Sequence, residues 1–487
     1  MAIRNYSLIH FEKNRDWMCN MYKVDLSKPI KVHFIGIGGI SMSGLAELLH
    51  TMNFEVTGSD VKQSKNTSRL ENLGIKIIYG QKADNISSDI DLVVYTSAVK
   101  EDNPEYQAAI SSGIATIDRA QLIGQIMLNY SCPIAVAGTH GKTTTTSMMS
   151  LVLLEGDLDP TISVGGILNN IGGNIRIGSS GHFITEACEY TNSFLKFNPR
   201  IGIILNVEAE HLDYFKSIDN IRSSFKAFAE RIPKDGLLII NGDIDNVGYF
   251  TKDLECDVIT YSLESQESPI DNGLHHYYAT NISYDEFGRG SYDLVVDGEY
   301  IDHIKLGVVG AHNISNSLPC IAMARYLDIS LDKIKQGILS FEGTQRRFQY
   351  KGQIGGVTII DDYAHHPTEI KATLTAAKNY PHKSIYLVFQ PHTYTRTKTF
   401  LNEFAKELSM ADVIILTDIY AAREKDPGDI SSKDLMLKLQ ELGNEVHYYE
   451  SFDEIENFIL EKCTHGDLLI TMGAGDVVNI GESLLGI

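Results

Sequence analysis

The stretch Val136-Ala137-Gly138-Thr139-His140-Gly141-Lys142-Thr143-Thr144-Thr145-Thr146 has the residue types of a phosphate cradle. An apolar run, Pro133 to Ala137, precedes it, and a helix-like run from Thr144 to Leu154 follows. Glycines let backbone N–H groups approach phosphate oxygens, and a helix N-terminus favours negative charge. Lys142 is placed to reach outer phosphates, and the Thr143 hydroxyl to ligate Mg²⁺. Only Thr139 and His140 separate the glycines, where the general pattern has four residues, so this is a variant loop. A plain glycine turn before a helix is the bland alternative; strand, loop, Lys and Thr occurring in order weigh against it.

A second glycine motif, Gly36-Ile37-Gly38-Gly39-Ile40-Ser41, opens another helical pattern, with Ser59-Asp60 about twenty residues on. It predicts a pyrophosphate at a helix N-terminus and an acid on a ribose. Ser41 stands at the third glycine position, and NAD, FAD or a UDP-sugar would each satisfy the motif. A turn that only packs helix on sheet remains the alternative.

Two acidic segments end strand-like runs: Thr185-Glu186-Ala187-Cys188-Glu189-Tyr190 and Asn206-Val207-Glu208-Ala209-Glu210-His211-Leu212-Asp213. Carboxyl ends of parallel strands face the ligand crevice, so both point toward the phosphate loop. Carboxylate and imidazole beside phosphates suit Mg²⁺ or Mn²⁺. Gly310-Ala311-His312-Asn313-Ile314-Ser315-Asn316 pairs two amides at a helix start, either reading an adenine edge or, for Asn313, capping the helix. Further on come Arg346-Arg347-Phe348, Asp361-Asp362-Tyr363-Ala364-His365-His366-Pro367 and Gln390-Pro391-His392-Thr393-Tyr394-Thr395-Arg396. Acids, histidines and an arginine after strands suit ribose and carboxylate recognition.

These motifs need elements to hold them. The chain has 487 residues, 43% of them hydrophobic, with a net charge of −21. That length predicts roughly three domains. The acidity argues against nucleic-acid binding, so an anionic nucleotide must be held in local sites. Six scattered cysteines without a CxxC pair suggest neither zinc site nor disulfide framework, but a reducing compartment. The charged first thirty residues do not read as a signal peptide, and no apolar run is long enough for a bilayer. The expectation is a soluble, cytoplasmic protein. Alternating strands and helices predict α/β architecture with parallel sheets. Residues 1–130 form a first, Rossmann-like domain (1–30, with Trp17, an uninterpreted extension), 131–342 a phosphate-loop domain, and 343–487 a second Rossmann-like domain. Short alternating runs between His275 and Val309 predict a small antiparallel element in the middle domain.

As an ordered set, the motifs resemble the Mur ligases, ATP-dependent amide-forming enzymes of peptidoglycan synthesis. The carrying strings are Gly36 to Ala46, Gly138 to Thr146, Gly310 to Asn313, Asp361 to Pro367 and Phe389 to His392. The likeness runs from about Lys31 to the end, and is strongest to the branch that joins L-alanine to UDP-N-acetylmuramate. It implies that Gly36, Gly38, Gly39, Ile40, Ser41, Ser59, Asp60 and Ser97 face the UDP-sugar. It implies that Gly138, Thr139, His140, Gly141, Lys142, Thr143, Thr144, Asn313, Asn316, Arg347 and Asp362 face ATP. Thr143, Glu186 and His211 would ligate Mg²⁺ (Mn²⁺ as an alternative). His365, His392 and Arg396 would line the amino-acid side, with Lys142, His211, His365 and Arg396 the catalytic set. The implied partners are UDP-N-acetylmuramate and L-alanine, with no nucleic acid or membrane, in a monomer or homodimer. Departures are Thr393, where many members have Arg, and Phe225, where sister enzymes carry a carbamylated lysine; Lys226 is one residue off. Alternatives are a relative adding another amino acid or a peptide and, more distantly, a nicotinamide-dependent dehydrogenase fused to an NTPase-like domain.

Overall fold

The computed structural model describes residues 23–487 apart from 97, 264–266, 271–272, 423 and the side chain of 213. The expectations for Ser97 and for most of the 1–30 extension, Trp17 included, fall outside these residues. The first sheet comprises β1 (Lys31–Ile35), β2 (Glu55–Asp60), β3 (Lys76–Tyr79), β4 (Leu92–Tyr95) and β5 (Ala115–Asp118). Its order is β3-β2-β1-β4-β5, all parallel. The turn after β1, where two flanking connections diverge, carries the first glycine motif, which is where a doubly wound sheet opens a ligand crevice.

The central sheet holds β6 (Cys132–Ala137), β7 (Thr161–Leu168), β8 (Gly173–Arg176), β9 (His182–Ala187), β10 (Ile201–Ile204), β11 (Leu237–Asn241), β12 (Asp257–Ser262), β13 (His275–Tyr284), β14 (Arg289–Val296) and β15 (Glu299–Val309). They lie in the order β15-β14-β13-β12-β11-β10-β6-β9-β7-β8. The strand that feeds the phosphate loop, β6, is flanked by β9 and β10, both parallel to it. The segments bearing Glu186 and His211 therefore end at the same sheet edge as the loop. The expected antiparallel element is β13-β14-β15, but β13 pairs in parallel with β12, so it extends the central sheet. Helix Lys142–Glu155 is buried almost all round, between the sheet and helices Ala311–Tyr326 and Leu331–Leu339, which explains its weak amphipathic pattern.

The third sheet contains β16 (Gln349–Ile354), β17 (Val357–Asp362), β18 (Ile385–Phe389), β19 (Val413–Leu416), β20 (Glu445–Tyr448) and β21 (Leu468–Met472), ordered β16-β17-β21-β18-β19-β20. Only β16 runs antiparallel.

How the three units join matters for the site. Apolar residues of the first sheet and of the helices below the central sheet form one continuous cluster, from Val32 to Phe194 and Phe228. A Cβ on Gly124 would sit 1.9 Å from the Lys196 carbonyl oxygen, so this glycine permits direct backbone approach between the two units. The third sheet has its own apolar clusters. Among the described residues, its side-chain hydrogen bonds to the central unit are polar reaches across a cleft: Thr368 to Glu208 and Arg396 to Glu210.

Candidate active site

The phosphate loop leaves β6 through Gly138 (φ +154°) and enters its helix through Gly141 (φ +82°). A Cβ at Gly141 would lie 2.9 Å from Asn316 Oδ1, so glycine is required both for the turn and for the helix packed against it. Asn206 clamps the loop, accepting from the His140 N–H at 2.8 Å and donating to the His140 carbonyl at 3.1 Å. Lys142 Nζ donates to the carbonyls of Gly138 (2.5 Å) and Thr139 (3.1 Å) and to Glu189 Oε2 (2.9 Å). Burial works against the Lys142 charge, but Glu189 outweighs it and the ammonium is held.

Thr143 Oγ1 donates to Glu186 Oε2 at 2.9 Å, and the Gly165 N–H donates to Glu186 Oε1 at 2.5 Å. His211, in the left-handed region at φ +53°, stacks on Tyr190 and brings Nε2 to 3.5 Å from Glu189 Oε1. Of the three expected metal ligands, Thr143 and Glu186 touch directly, whereas His211 contacts Glu189, the partner of Lys142. Glu189 is almost fully buried, and among the described residues its Oε1 makes no hydrogen bond beyond the longer contact with His211. Hydroxyl and carboxylate oxygens beside a phosphate loop, with an orphaned carboxylate oxygen among them, fit a hard divalent cation such as Mg²⁺. Phe225 is fully buried, and Lys226 donates to the carbonyls of Tyr249 and Lys252, outside this cluster.

Across the cleft, helix Pro367–Lys378 starts with His366 as its N-cap. His365 Nδ1 faces the Tyr363 carbonyl at 3.0 Å, and its backbone N–H donates to Glu369 Oε2 at 3.1 Å. Burial lowers the His365 pKa, with Glu369 opposing, so the ring is neutral, with the Nδ1 proton on the carbonyl and Nε2 an acceptor. Arg396 Nη1 donates to His392 Nδ1 at 2.9 Å, which makes Nε2 of a neutral His392 the proton-bearing nitrogen. Arg396 Nη2 donates to Glu210 Oε1 at 2.7 Å, while Nε makes no hydrogen bond among the described residues. Glu210 is held down to about 2; burial opposes the shift and Arg396 drives it. His365 and His392 meet edge to face at 5.5 Å. The three expected amino-acid-side residues thus share one corner.

Between the units lies a cavity of about 510 Å³. Gly141, Thr143, Thr144, Asn313, Asn316, Arg347 and Asp362 all border it, as does His140. Asn313 sits inside the first turn of its helix and donates to the Val309 carbonyl at 2.8 Å, while Asn316 Nδ2 donates to Asn313 Oδ1 at 3.2 Å; the helix-capping alternative does not hold, because Gly310 is the N-cap. Asp362 is less free than a ribose ligand need be. Its carboxylate accepts the N–H groups of Phe348 (2.6 Å) and Ala364 (2.7 Å), and burial pushes its pKa up to about 6. Phe287, Arg289, Tyr350 and Tyr380 supply further lining that no motif marked.

In the first unit, Asp60 Oδ2 accepts the Gly38 N–H at 2.8 Å and would lie 2.8 Å from a Cβ on Gly38, so Asp60 braces the loop. Gly36 has φ +81° and Gly39 precedes the helix as its N-cap. Ile40 is exposed, and Ser41 Oγ accepts from Arg119 at 2.8 Å. Ser59 is turned away: it is fully buried and donates to Glu105 Oε2 at 2.5 Å. The residues with no assigned role at the sequence level are Glu189, Glu208, Glu210 and Glu369. The first three lie inside the acidic strings, but a string does not say which acid faces which partner.

Three family profiles match in order: "Mur ligase family, catalytic domain" over residues 31–131, "Mur ligase middle domain" over 136–324 and "Mur ligase, glutamate ligase domain" over 346–475. The UDP-N-acetylmuramate–L-alanine ligase of Lachnoclostridium phytofermentans is 59% identical over 467 residues, spanning 96% of this chain and 100% of the relative. That of Caldanaerobacter subterraneus subsp. tengcongensis is 50% identical, spanning 95% and 99%. The solved UDP-N-acetylmuramate-alanine ligase of Thermotoga maritima superposes with a TM-score of 0.79 at 29% identity, covering 94% of this chain and 98% of its own. With three Mur ligase profiles in order along it and relatives at 50% and 59% identity over nearly its whole length, the chain belongs to the Mur ligase family.

Proposed function

We propose that the protein joins L-alanine to the lactyl carboxylate of UDP-N-acetylmuramate at the expense of ATP, in peptidoglycan precursor synthesis. The observation that carries this reading is the juxtaposition across one cleft of Lys142, Thr143 and Glu186 with His365, His392 and Arg396. One side suits a polyphosphate and the other an amino acid, and the cavity beside the phosphate loop, bordered by Thr143, Asn313, Asn316, Arg347 and Asp362, has the size of a nucleotide site. Functional boundaries near residues 131 and 343, and a cytoplasmic location where ATP and UDP-sugars are made, go with it.

A carboxylate oxygen of the sugar attacks the γ-phosphorus, giving an acyl phosphate and ADP; the alanine amine then attacks the acyl carbon and phosphate leaves. Phosphoryl transfer asks for positioning and charge neutralisation. Lys142 is already beside the loop and exchanges Glu189 and loop carbonyls for phosphate oxygens. Thr143 and Glu186, with His211 through Glu189, would hold Mg²⁺. When bound, the ion supplies positive charge against the phosphate oxygens. Arg396 and the proton on His392 Nε2 grip the amino-acid carboxylate. The acceptor Nε2 of His365 takes the proton the ammonium must lose. The glycine loop braced by Asp60 seats the UDP pyrophosphate, and closure of the third unit shields the acyl phosphate from water.

The test is ADP release with UDP-N-acetylmuramate and each of the twenty amino acids in turn. L-Alanine is expected to give the highest kcat/KM. Preference for a different amino acid would redirect the amino-acid assignment, and ADP release independent of any amino acid would remove it. The dehydrogenase alternative leaves the third unit without a role and is not pursued.

A further inference from the structure

Beyond the Mg²⁺ site, a second set of side chains is arranged for a different cation. His140 comes from the phosphate loop, Glu208 from the segment after β10, and His366 from the N-cap of helix Pro367–Lys378 in the third unit. One donor atom from each lies within 4.8 Å of the other two. His140 Nε2 stands 3.6 Å from Glu208 Oε2, too far for a good hydrogen bond but close to the separation of two ligands on one ion. Among the described residues the buried Nε2 atoms of His140 and His366 make no hydrogen bond, each having a carboxylate oxygen at 3.6 Å, from Glu208 and Glu210 respectively. A buried imidazole nitrogen left unpaired costs free energy, and two side by side call for an explanation.

Further carboxylates stand around the cluster. His140 Nδ1 lies 3.4 Å from Glu369 Oε1, so a carboxylate backs the ring on the side away from Glu208. Thr368 Oγ1 donates to Glu208 Oε2 at 2.9 Å and fixes that carboxylate. The rings of His140 and His366 are 4.8 Å apart at 35°. Donor chemistry separates this cluster from the Thr143–Glu186 pair: two imidazoles and one carboxylate favour a borderline transition-metal ion, whereas hydroxyl and carboxylate oxygens favour Mg²⁺.

We propose that His140, Glu208 and His366 form a binding site for a Zn²⁺-class divalent cation that bridges the phosphate loop and the third unit. Because ligands come from both sides of the cleft, the bound ion would tie the two units together. Two of its ligands, His140 and Glu208, also border the nucleotide cavity, while binding of the ion itself needs neither ATP nor sugar.

Calorimetric titration of the full chain with Zn²⁺ under excess Mg²⁺ tests it, with thermal unfolding as a second readout. One Zn²⁺ per chain is expected, with a raised unfolding midpoint. His366→Gln and Glu208→Gln should each weaken Zn²⁺ binding by about tenfold or more and remove the midpoint rise. Glu186→Gln should leave Zn²⁺ binding unchanged. Absence of Zn²⁺ binding to the wild type, equal binding by both the His366 and Glu208 variants, or loss of binding in the Glu186 variant would overturn the assignment. If His366→Gln fails to fold, Glu208→Gln alone decides it.

Discussion

The phosphate loop and the amino-acid corner are built in opposite ways. The loop is local: Lys142 bonds carbonyls three and four residues back, two positive-φ glycines shape the turn, and one clamp, Asn206, comes from the adjacent strand's end. The corner is assembled at long range, with Arg396 pairing to Glu210 across 186 positions and Thr368 to Glu208 across 160. The first region is held by backbone geometry inside one sheet. The second is held by side-chain charges between two units with separate apolar cores. A preorganised phosphate site facing a corner made by closure is what a reaction with a water-sensitive acyl phosphate requires.

If the loop is the preformed half, damage there should be the most severe. Lys142→Ala is expected to cut turnover by about 10²-fold or more in a folded protein, because the charge against the outer phosphates is gone. Near-wild-type turnover would take the loop out of the mechanism. The corner should instead fail in binding. Arg396→Lys keeps the charge but not the planar fork, and should raise the KM for L-alanine by about ten- to a hundredfold, the equivalent of about 1.5–3 kcal/mol, with the KM for ATP much less affected. Equal rises for both substrates would erase the distinction between the regions. Thr393 leaves Arg396 without the second arginine expected from the family, which sharpens the effect.

The metal cluster belongs to the loop side and grades the comparison. Glu186→Gln and His211→Ala should both raise the Mg²⁺ concentration for half-maximal rate, and Glu186→Gln more, since Glu186 touches Thr143 while His211 pairs with Glu189, the partner of Lys142. Titrations like the wild type for both would reject the assignment.

A further effect, on stability rather than turnover, concerns Asp362 in the third unit. Its folded pKa, raised by burial to about 6 from 3.8, means that the folded state binds more protons than the unfolded state between those values. Its contribution to stability should therefore be greatest below about pH 4 and decline as pH rises toward 6, by up to about 1.4 kcal/mol per unit. Comparing denaturant unfolding of wild type and Asp362→Asn across that window isolates the trend. A difference that is flat or rises with pH would contradict it.

What could be read from residues alone follows the same division. Glycine turns, strand-end acids and the parallel alternation report on contacts a few residues away, and the loop and most strands of all three sheets were visible that way. β5, whose alternation lasts only four residues, the hairpin β7–β8, interrupted by Gly165 and Gly166, and the polar edge strand β16 were not. β13–β15 read as antiparallel, but nothing in their pattern says that β13 joins β12. Ser59 sits beside Asp60 in sequence yet points to Glu105, because successive strand residues face opposite sides. Glu189, Glu208 and Glu210 gained roles only when Lys142, His140 and Arg396 arrived beside them.

The claim that the two regions work in sequence on one carboxylate is tested most directly by isotope transfer. UDP-N-acetylmuramate labelled with ¹⁸O in its lactyl carboxylate is turned over with ATP and L-alanine, and the released phosphate is analysed by mass. An acyl phosphate leaves one carboxylate oxygen on phosphorus, so each phosphate should carry one ¹⁸O. Unlabelled phosphate alongside amide product would contradict attack of the carboxylate on ATP.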